Sequence, residues 1–337
     1  TAHAPSRCGE RGAPLGTWRP CTACPTGCPS NVNRALRKAG LSHARYKRDG
    51  LPLRVRMMSD VDSLGRLGCL LPGLADAALD FGPLRFLMEK TLGISARRTL
   101  PHYASERFDK WFKNHNRKSS GARGKIMLWD DTFVRYHEPQ IGHAAVAVLE
   151  ALGFEVVLPV GRKCCGRPAF SQGNLEAAAH FGRVNLALLQ EAAESIPILF
   201  LEPSCYSMFV EDYRELQLAG TEPIAARCFL FEKFIDDLLE REPAALHFVR
   251  RDAHVAIHAH CHAQLLLPPA ILVRPAGRRP RPGPPRPAAR VPVSPGGRAA
   301  EATAAPVAFR ASGSDLSSYA VTLWARVDVR VARSDWA

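Results

Sequence analysis

Residues 126–166 read IMLWDDTFVRYHEPQIGHAAVAVLEALGFEVVLPVGRKCCG, and this stretch decides the fold. IMLW (126–129) is a short apolar run, the mark of a buried strand. Residues 139–152 open on Pro139, repeat apolar residues at helical spacing and stop at Gly153. FEVVLP (154–159) is the next strand. Strand, helix and strand in so short a span predict a parallel β-α-β unit. Further along, residues 174–193 begin with Asn174, a good cap, and predict a long helix. PILFLE (197–202) predicts a third strand, residues 204–240 two helices broken near Gly220 and Pro223, and HVAIHA (254–259) a fourth strand. The expectation is an α/β domain over residues 126–273, a parallel sheet with helices on both faces.

The flanks differ. Residues 114–125 (NHNRKSSGARGK) are polar and breaker-rich and read as a linker. Before it, residues 21–113 read as a small, mainly helical segment that starts with a cysteine loop, CTACPTGCPSNVN (21–33). Residues 34–48 form basic helical turns. From Val61, apolar residues recur at Leu64, Leu67, Leu70, Leu71 and Leu74, with Pro72 limiting the helix. Such a stripe is expected to be an ordinary packing face, the alternative being a seat for a partner or lipid. Residues 1–20 show no periodicity. In 274–311, Pro, Arg, Ala and Gly fill 31 of 38 positions, too few core-forming residues to offset the entropy of ordering. The tail 274–337 therefore reads as disordered, either a native Pro/Arg-rich tail or translation in a wrong frame. The second is favoured, since nothing after the fourth strand completes the domain. The sequence opens at Thr1 with its first methionine at Met57, which reads as a fragment or processed product.

Composition narrows the function. The chain has 337 residues, 46% hydrophobic, so its bulk can bury a core. No run approaches the roughly 18 apolar residues of a membrane span. Residues 1–125 carry 23 Lys/Arg against 9 Asp/Glu (+14), residues 126–273 carry 11 against 19 (−8), and residues 274–337 carry 11 against 4 (+7). A basic head could meet nucleic acid, an acidic partner or an anionic membrane, though a solvated helix face is the commoner reading. No stacking or recognition motif accompanies the charge, which argues against a nucleic-acid partner.

The cysteines carry the chemistry. Cys21, Cys24 and Cys28 lie in C-x2-C-x3-C-P. Counted back from Pro29 they match three positions of the bacterial ferredoxin run, with Trp18 where the first cysteine would stand. An iron–sulfur loop is the favoured reading, with zinc as the alternative. Asp130 and Asp131 follow the first strand, Cys164, Cys165 and Gly166 the second, Cys205 the third, and His258, His260, Cys261 and His262 the fourth. These loops share the carboxyl edge of a parallel sheet, where open α/β folds build their sites. Adjacent cysteines suit a metal cluster better than a disulfide. Cys69 and Cys228 fall in apolar, helical-looking stretches and read, with Cys8, as buried free thiols. The three histidines could join Cys261 in a zinc site. The favoured roles are hydrogen bonds to a centre or its thiolates, above all for His260 and His262.

The segments CPSNVN (28–33), DTFVRYHEPQIGHAAVAVLEALGFEVV (131–157), KCCGRPAFSQGNLEAAA (163–179), FLEPSCYSMF (200–209) and HCHAQ (260–264) together resemble the cysteine-rich, CCG-domain iron–sulfur oxidoreductases. That family includes the heterodisulfide reductase B subunit, the anaerobic glycerol-3-phosphate dehydrogenase C subunit and the glycolate oxidase iron–sulfur subunit. The likeness is nearest to the C-terminal part of fused FAD-binding dehydrogenases acting on D-lactate or related D-2-hydroxyacids. It implies that Cys21, Cys24, Cys28, Cys164, Cys165, Cys205 and Cys261 bind a [4Fe–4S]-type cofactor, incomplete in this chain. It also implies that FAD sits in an upstream domain or a partner subunit. Departures from the family are Trp18 in the ferredoxin run, Asp131 near the family's upstream cysteine, Met208 where some relatives carry a further cysteine, and the Pro/Arg-rich tail in place of a second CCG motif.

The implied function is the electron-transfer portion of an FAD-linked D-2-hydroxyacid dehydrogenase. It would relay electrons from flavin to a quinone or cytochrome, in the cytoplasm or at the inner face of the membrane, with no catalytic acid or base of its own. The alternatives are a structural zinc module and a basic nucleic-acid-binding protein.

Overall fold

The computed structural model describes residues 34–116, 121–191, 196–246, 261–266 and 271. At its centre β1 (Lys125–Trp129), β2 (Glu155–Val157), β3 (Ile198–Phe200) and β4 (Cys228–Leu230) form a parallel sheet in the order β2-β1-β3-β4. Lys125 pairs with Glu155, Met127 with Ile198, and Ile198 with Cys228. The α/β reading holds, and the first three strands lie where the apolar runs place them. The fourth strand differs. β4 comes from inside the span read as two helices, while residues 254–259, Cys21, Cys24, Cys28, His258, His260 and the tail lie outside the described residues. Cys-Phe-Leu is too short to show alternation and is flanked by helices, so periodicity alone passes over it.

Among the described residues, six helices precede the sheet: α1 (Arg34–Asp49), α2 (Leu53–Ser59), α3 (Val61–Gly68), α4 (Pro72–Asp80), α5 (Gly82–Leu92) and α6 (Phe108–Asn114). Around the sheet run α7 (Thr132–Tyr136), α8 (Pro139–Ala151), α9 (Arg167–Gln172), α10 (Leu175–Glu191), α11 (Pro203–Ser207), α12 (Tyr213–Glu215), α13 (Thr221–Ala225), α14 (Phe231–Arg241) and α15 (Cys261–Leu266). A π-helical turn, Met208–Asp212, joins α11 to α12.

The two-residue period of the strands sorts the core into two layers. Ile126, Leu128 and Leu199 face α6, α7, α8 and α14, packing on Phe108, Val134, Leu149 and Ile235. Met127, Trp129, Ile198 and Phe200 face the other way, onto Phe170, Leu186, Phe209 and Tyr213. Full burial of each such aliphatic or aromatic side chain contributes about 1.5–3 kcal/mol.

The apolar stripe from Val61 does not pack as expected. It is split between α3 and α4, and Leu67, Leu70, Leu71 and Leu74 are 65–68% exposed. The reason is that α3 turns its glycines inward. A Cβ on Gly65 would lie 2.4 Å from the Tyr136 ring, and one on Gly68 2.2 Å from the Tyr103 ring. Close approach of rings to the glycine side leaves the leucines on the outer side. No helix among the described residues is long and apolar enough to cross a membrane.

Candidate metal centre

The carboxyl edge of the sheet gathers the chemistry. β1 ends at Asp130 and Asp131, the loop after β2 carries Cys164 and Cys165, and the turn after β3 leads into α11 with Cys205. Cys164, Cys165 and Cys205 are each at most 6% exposed and all are free thiols. The Cys205 Sγ donates to Cys165 Sγ across 2.9 Å.

The Cys-Cys-Gly turn is held from its backbone. Gly166 adopts a left-handed φ of 89° and caps α9; a Cβ there would meet the Ala178 carbonyl oxygen at 3.1 Å. Only glycine accepts both the dihedral and the closeness. Asn185, fully buried on α10, accepts from the Lys163 N–H at 2.8 Å and donates to the Cys164 carbonyl at 3.0 Å. The Tyr213 hydroxyl donates to the Cys165 carbonyl at 2.7 Å. With the carbonyls occupied, the thiols are what the turn offers.

Residues 132–210, which hold all three thiols and their supports Asn185 and Arg167, match the cysteine-rich domain CCG. Over this stretch the chain is similar to a CCG domain. It is also similar to the C subunit of the anaerobic glycerol-3-phosphate dehydrogenase of Escherichia coli (strain K12), with 25% identity over 225 residues, 66% of this chain and 57% of that protein. Lactate utilization protein A 2 of Bacillus mycoides (strain KBAB4) and lactate utilization protein A of Bacillus cereus (strain G9842) are each 29% identical over 148 residues, 42% of this chain and 59% of theirs. The chain thus spans less than two thirds of the length of these curated relatives. No solved structure matches it.

At the end of the matched stretch, the π turn sets the second rank of contacts. It widens the helix between α11 and α12, and Met208, Phe209, Asp212 and Tyr213 all come out buried. Asp212 forms an ion pair with Arg167, the residue after Gly166. Arg167 also donates through Nη2 to His262 Nε2 at 3.1 Å. His262 therefore reaches the residue that follows the Cys-Cys-Gly turn through Arg167. Cys261 opens α15, which packs on α11, while Ala263 of α15 lies in the same core cluster as the three thiols. Neither Asn185 nor Tyr213 carries a motif. The one signal for Asn185 is a polar residue at a core position of an otherwise apolar helix face.

The two aspartates at the end of β1 differ. Asp130 accepts a bidentate pair from Arg135 at 2.6 and 2.8 Å and a further bond from Arg162 at 3.3 Å, while Arg162 donates to Asp62 of α3 at 2.6 Å. That buried network ties the helical layer to the sheet. Asp131 caps α7 through Oδ1. Burial, reinforced by Glu202, pushes its carboxyl up to about 7. The contact with Cys165, then burial, hold the Cys164 thiol well above its ordinary value, and burial does the same to Cys165. At Cys205 the contact with Cys165 pulls down, but burial and the Asp131 charge push up, to about 11.

Three buried thiols, two on the held turn and one in α11, are donors of the type that suits a thiophilic metal. Among the described residues no three such groups converge on a single ion. Two thiolates on one tetrahedral metal stand about 3.8 Å apart, given ~2.3 Å metal–sulfur bonds. The Cys165–Cys205 pair is closer, so a bound metal would require the two sulfurs to move apart and lose their protons. Ligands that each take a different metal of a cluster do not converge on one point, which agrees with this layout. Cys69 and Cys228 stand apart. Cys69 donates to the Tyr136 carbonyl at 3.4 Å, and Cys228, on β4 rather than in a helix, donates to the Ile224 carbonyl at 3.2 Å. Both are buried thiols with local partners.

Proposed function

We propose that this chain is the iron–sulfur electron-transfer portion of an FAD-linked dehydrogenase of the D-2-hydroxyacid type, passing electrons from flavin toward a quinone or cytochrome. The observation that carries the reading is the placement of Cys164, Cys165 and Cys205 at the carboxyl edge of the sheet, in the stretch that matches the CCG domain, with two of the thiols in contact. The relatives named as a dehydrogenase subunit and as lactate utilization proteins support a dehydrogenase partner. A cluster bound here supplies one-electron transfer. The protein's part is to hold and shield it. Asn185 and Tyr213 fix the turn, the thiols are kept from water, and the Asp212–Arg167–His262 chain braces α9 against the π turn and α15. Cys21, Cys24 and Cys28 would hold cluster iron in the N-terminal segment, and Cys261 would add a thiolate beside α11.

The test is anaerobic reconstitution of the full chain with iron and sulfide, followed by metal assay and electron paramagnetic resonance of the reduced protein. The expected result is acid-labile sulfide with iron, both falling in Cys165→Ser and Cys205→Ser. Zinc without labile sulfide would replace this reading with the structural-zinc one.

A further inference from the structure

A buried donor in the core cluster of the thiols lacks an acceptor. Trp129, the last residue of β1, is 1% exposed. Its indole Nε1 is buried and has no hydrogen-bond partner among the described residues. A buried N–H left unmade is costly and calls for an explanation, a bound group that supplies the acceptor among them.

The indole touches both segments that carry the thiols. From the loop after β2, the Arg162 guanidinium, two residues before Cys164, stands 5.9 Å from the ring. From the segment that holds Cys205, the Phe200 ring stacks at 5.8 Å and the Phe209 ring meets it edge-on at 4.8 Å. Trp129 shares one core cluster with Cys164, Cys165 and Cys205. None of these neighbours is a good acceptor. Arg162 is itself a donor, aromatic faces accept only weakly, and so does a protonated thiol. The carbonyls of Cys164 and Cys165 are taken by Asn185 and Tyr213. Metal binding changes the sulfurs: each loses its proton and becomes a charged acceptor.

We propose that the Trp129 indole N–H donates a hydrogen bond to a sulfur of the centre held by Cys164, Cys165 and Cys205, and so raises the reduction potential of that centre. The proposal rests on the metal-centre reading above. Reduction adds a negative charge to the centre, and a donor to its sulfur stabilises that charge. The indole keeps its proton and exchanges no electron. Trp129 is not a ligand, so its loss changes the potential and leaves metal binding in place.

The test uses the full chain, reconstituted anaerobically with iron and sulfide and titrated with reductant. The signal lost in Cys205→Ser marks this centre. Trp129→Phe keeps an aromatic ring in the core and removes the N–H. It is expected to hold as much iron and sulfide as the wild type and to titrate lower. At the wild-type midpoint its ratio of reduced to oxidised centre should be smaller by roughly threefold or more. Phe209→Leu disturbs the packing against the same indole without removing the N–H and is expected to leave the potential unmoved. In a chain whose tryptophans are isotope-labelled at the indole nitrogen, electron–nuclear double resonance of the reduced centre should show a coupled nitrogen that Trp129→Phe lacks. An unmoved potential in Trp129→Phe with full iron, or an equal fall in Phe209→Leu, would overturn the hydrogen bond and leave the metal centre standing. So would a labelled wild type without the coupling, whatever the variants do. A wild type without labile sulfide, or a Cys205→Ser variant that loses no iron, would overturn both.

Discussion

The helical layer α2–α5 and the sheet domain use the same apolar residues to opposite ends. In β1, four of five residues are buried; α4 buries none of its own, and α5 buries only Arg85. Leucines at helical spacing in α3 and α4 face outward, while leucines of α8 and α10 close the core. Spacing shows that a face is apolar, but the close-packing partner decides which side goes in. In α3 that partner is a pair of tyrosine rings, and only glycine admits them. The thiols lie on the half with the packed core, where neighbours on every side can lock a turn. The helical layer is joined to that half by the buried Asp62–Arg162–Asp130–Arg135 network and by α2 packing on α9.

The contrast has measurable consequences. The largest should come from paired truncations read by urea unfolding. Leu128→Ala empties a fully buried site between the sheet and its helices and should cost about 2–5 kcal/mol. Leu70→Ala, on the exposed stripe, should stay within about 0.5 kcal/mol. Comparable losses at the two positions would erase the distinction between the halves. A second pair sharpens it inside one helix. Gly65→Ala drives a methyl into the Tyr136 ring and should cost about 1–3 kcal/mol, whereas Leu67→Ala two residues on should cost far less. A reversed order would mean that the leucine side of α3 is the packed one.

The smallest expected effect is in pH dependence and belongs to the sheet edge. Glu232, in the first turn of α14, is pushed up to about 7 by burial, with the charge of Glu202 adding to it. The folded chain then holds a proton that the unfolded chain gives up near the ordinary glutamate value. The resulting stability is complete at acid pH and is lost as pH rises through about 4.5 to 7. Glu232→Gln should flatten stability across that window, as followed by melting midpoints from pH 4 to 8. An unchanged slope would place the pH response elsewhere.

Much of this was legible from the chain alone. Ile126–Trp129, Phe154–Leu158 and Pro197–Leu201 announce strands because buried parallel strands are continuous apolar runs. Pro139 and Gly153 bracket α8, and the pairing of each cysteine loop with a strand end places the thiols on one edge. What escaped is of one kind. β4 is three residues long, and the π turn has no sequence mark. Asn185, Tyr213 and Arg167 look ordinary until their partners are known.

The sequence by itself therefore determined the β-α-β alternation, the first three strands and the loops that bear Cys164, Cys165 and Cys205. These follow from period, breakers and residue type, which are local properties of the chain. Only the tertiary structure decided that the Leu67–Leu74 stripe faces outward, that Asn185 and Tyr213 grip the cysteine turn, and that Asp130 is consumed by arginines while Asp131 caps α7. Each of those depends on which distant residue arrives alongside, and hydrogen bonding and close packing act only on neighbours in space.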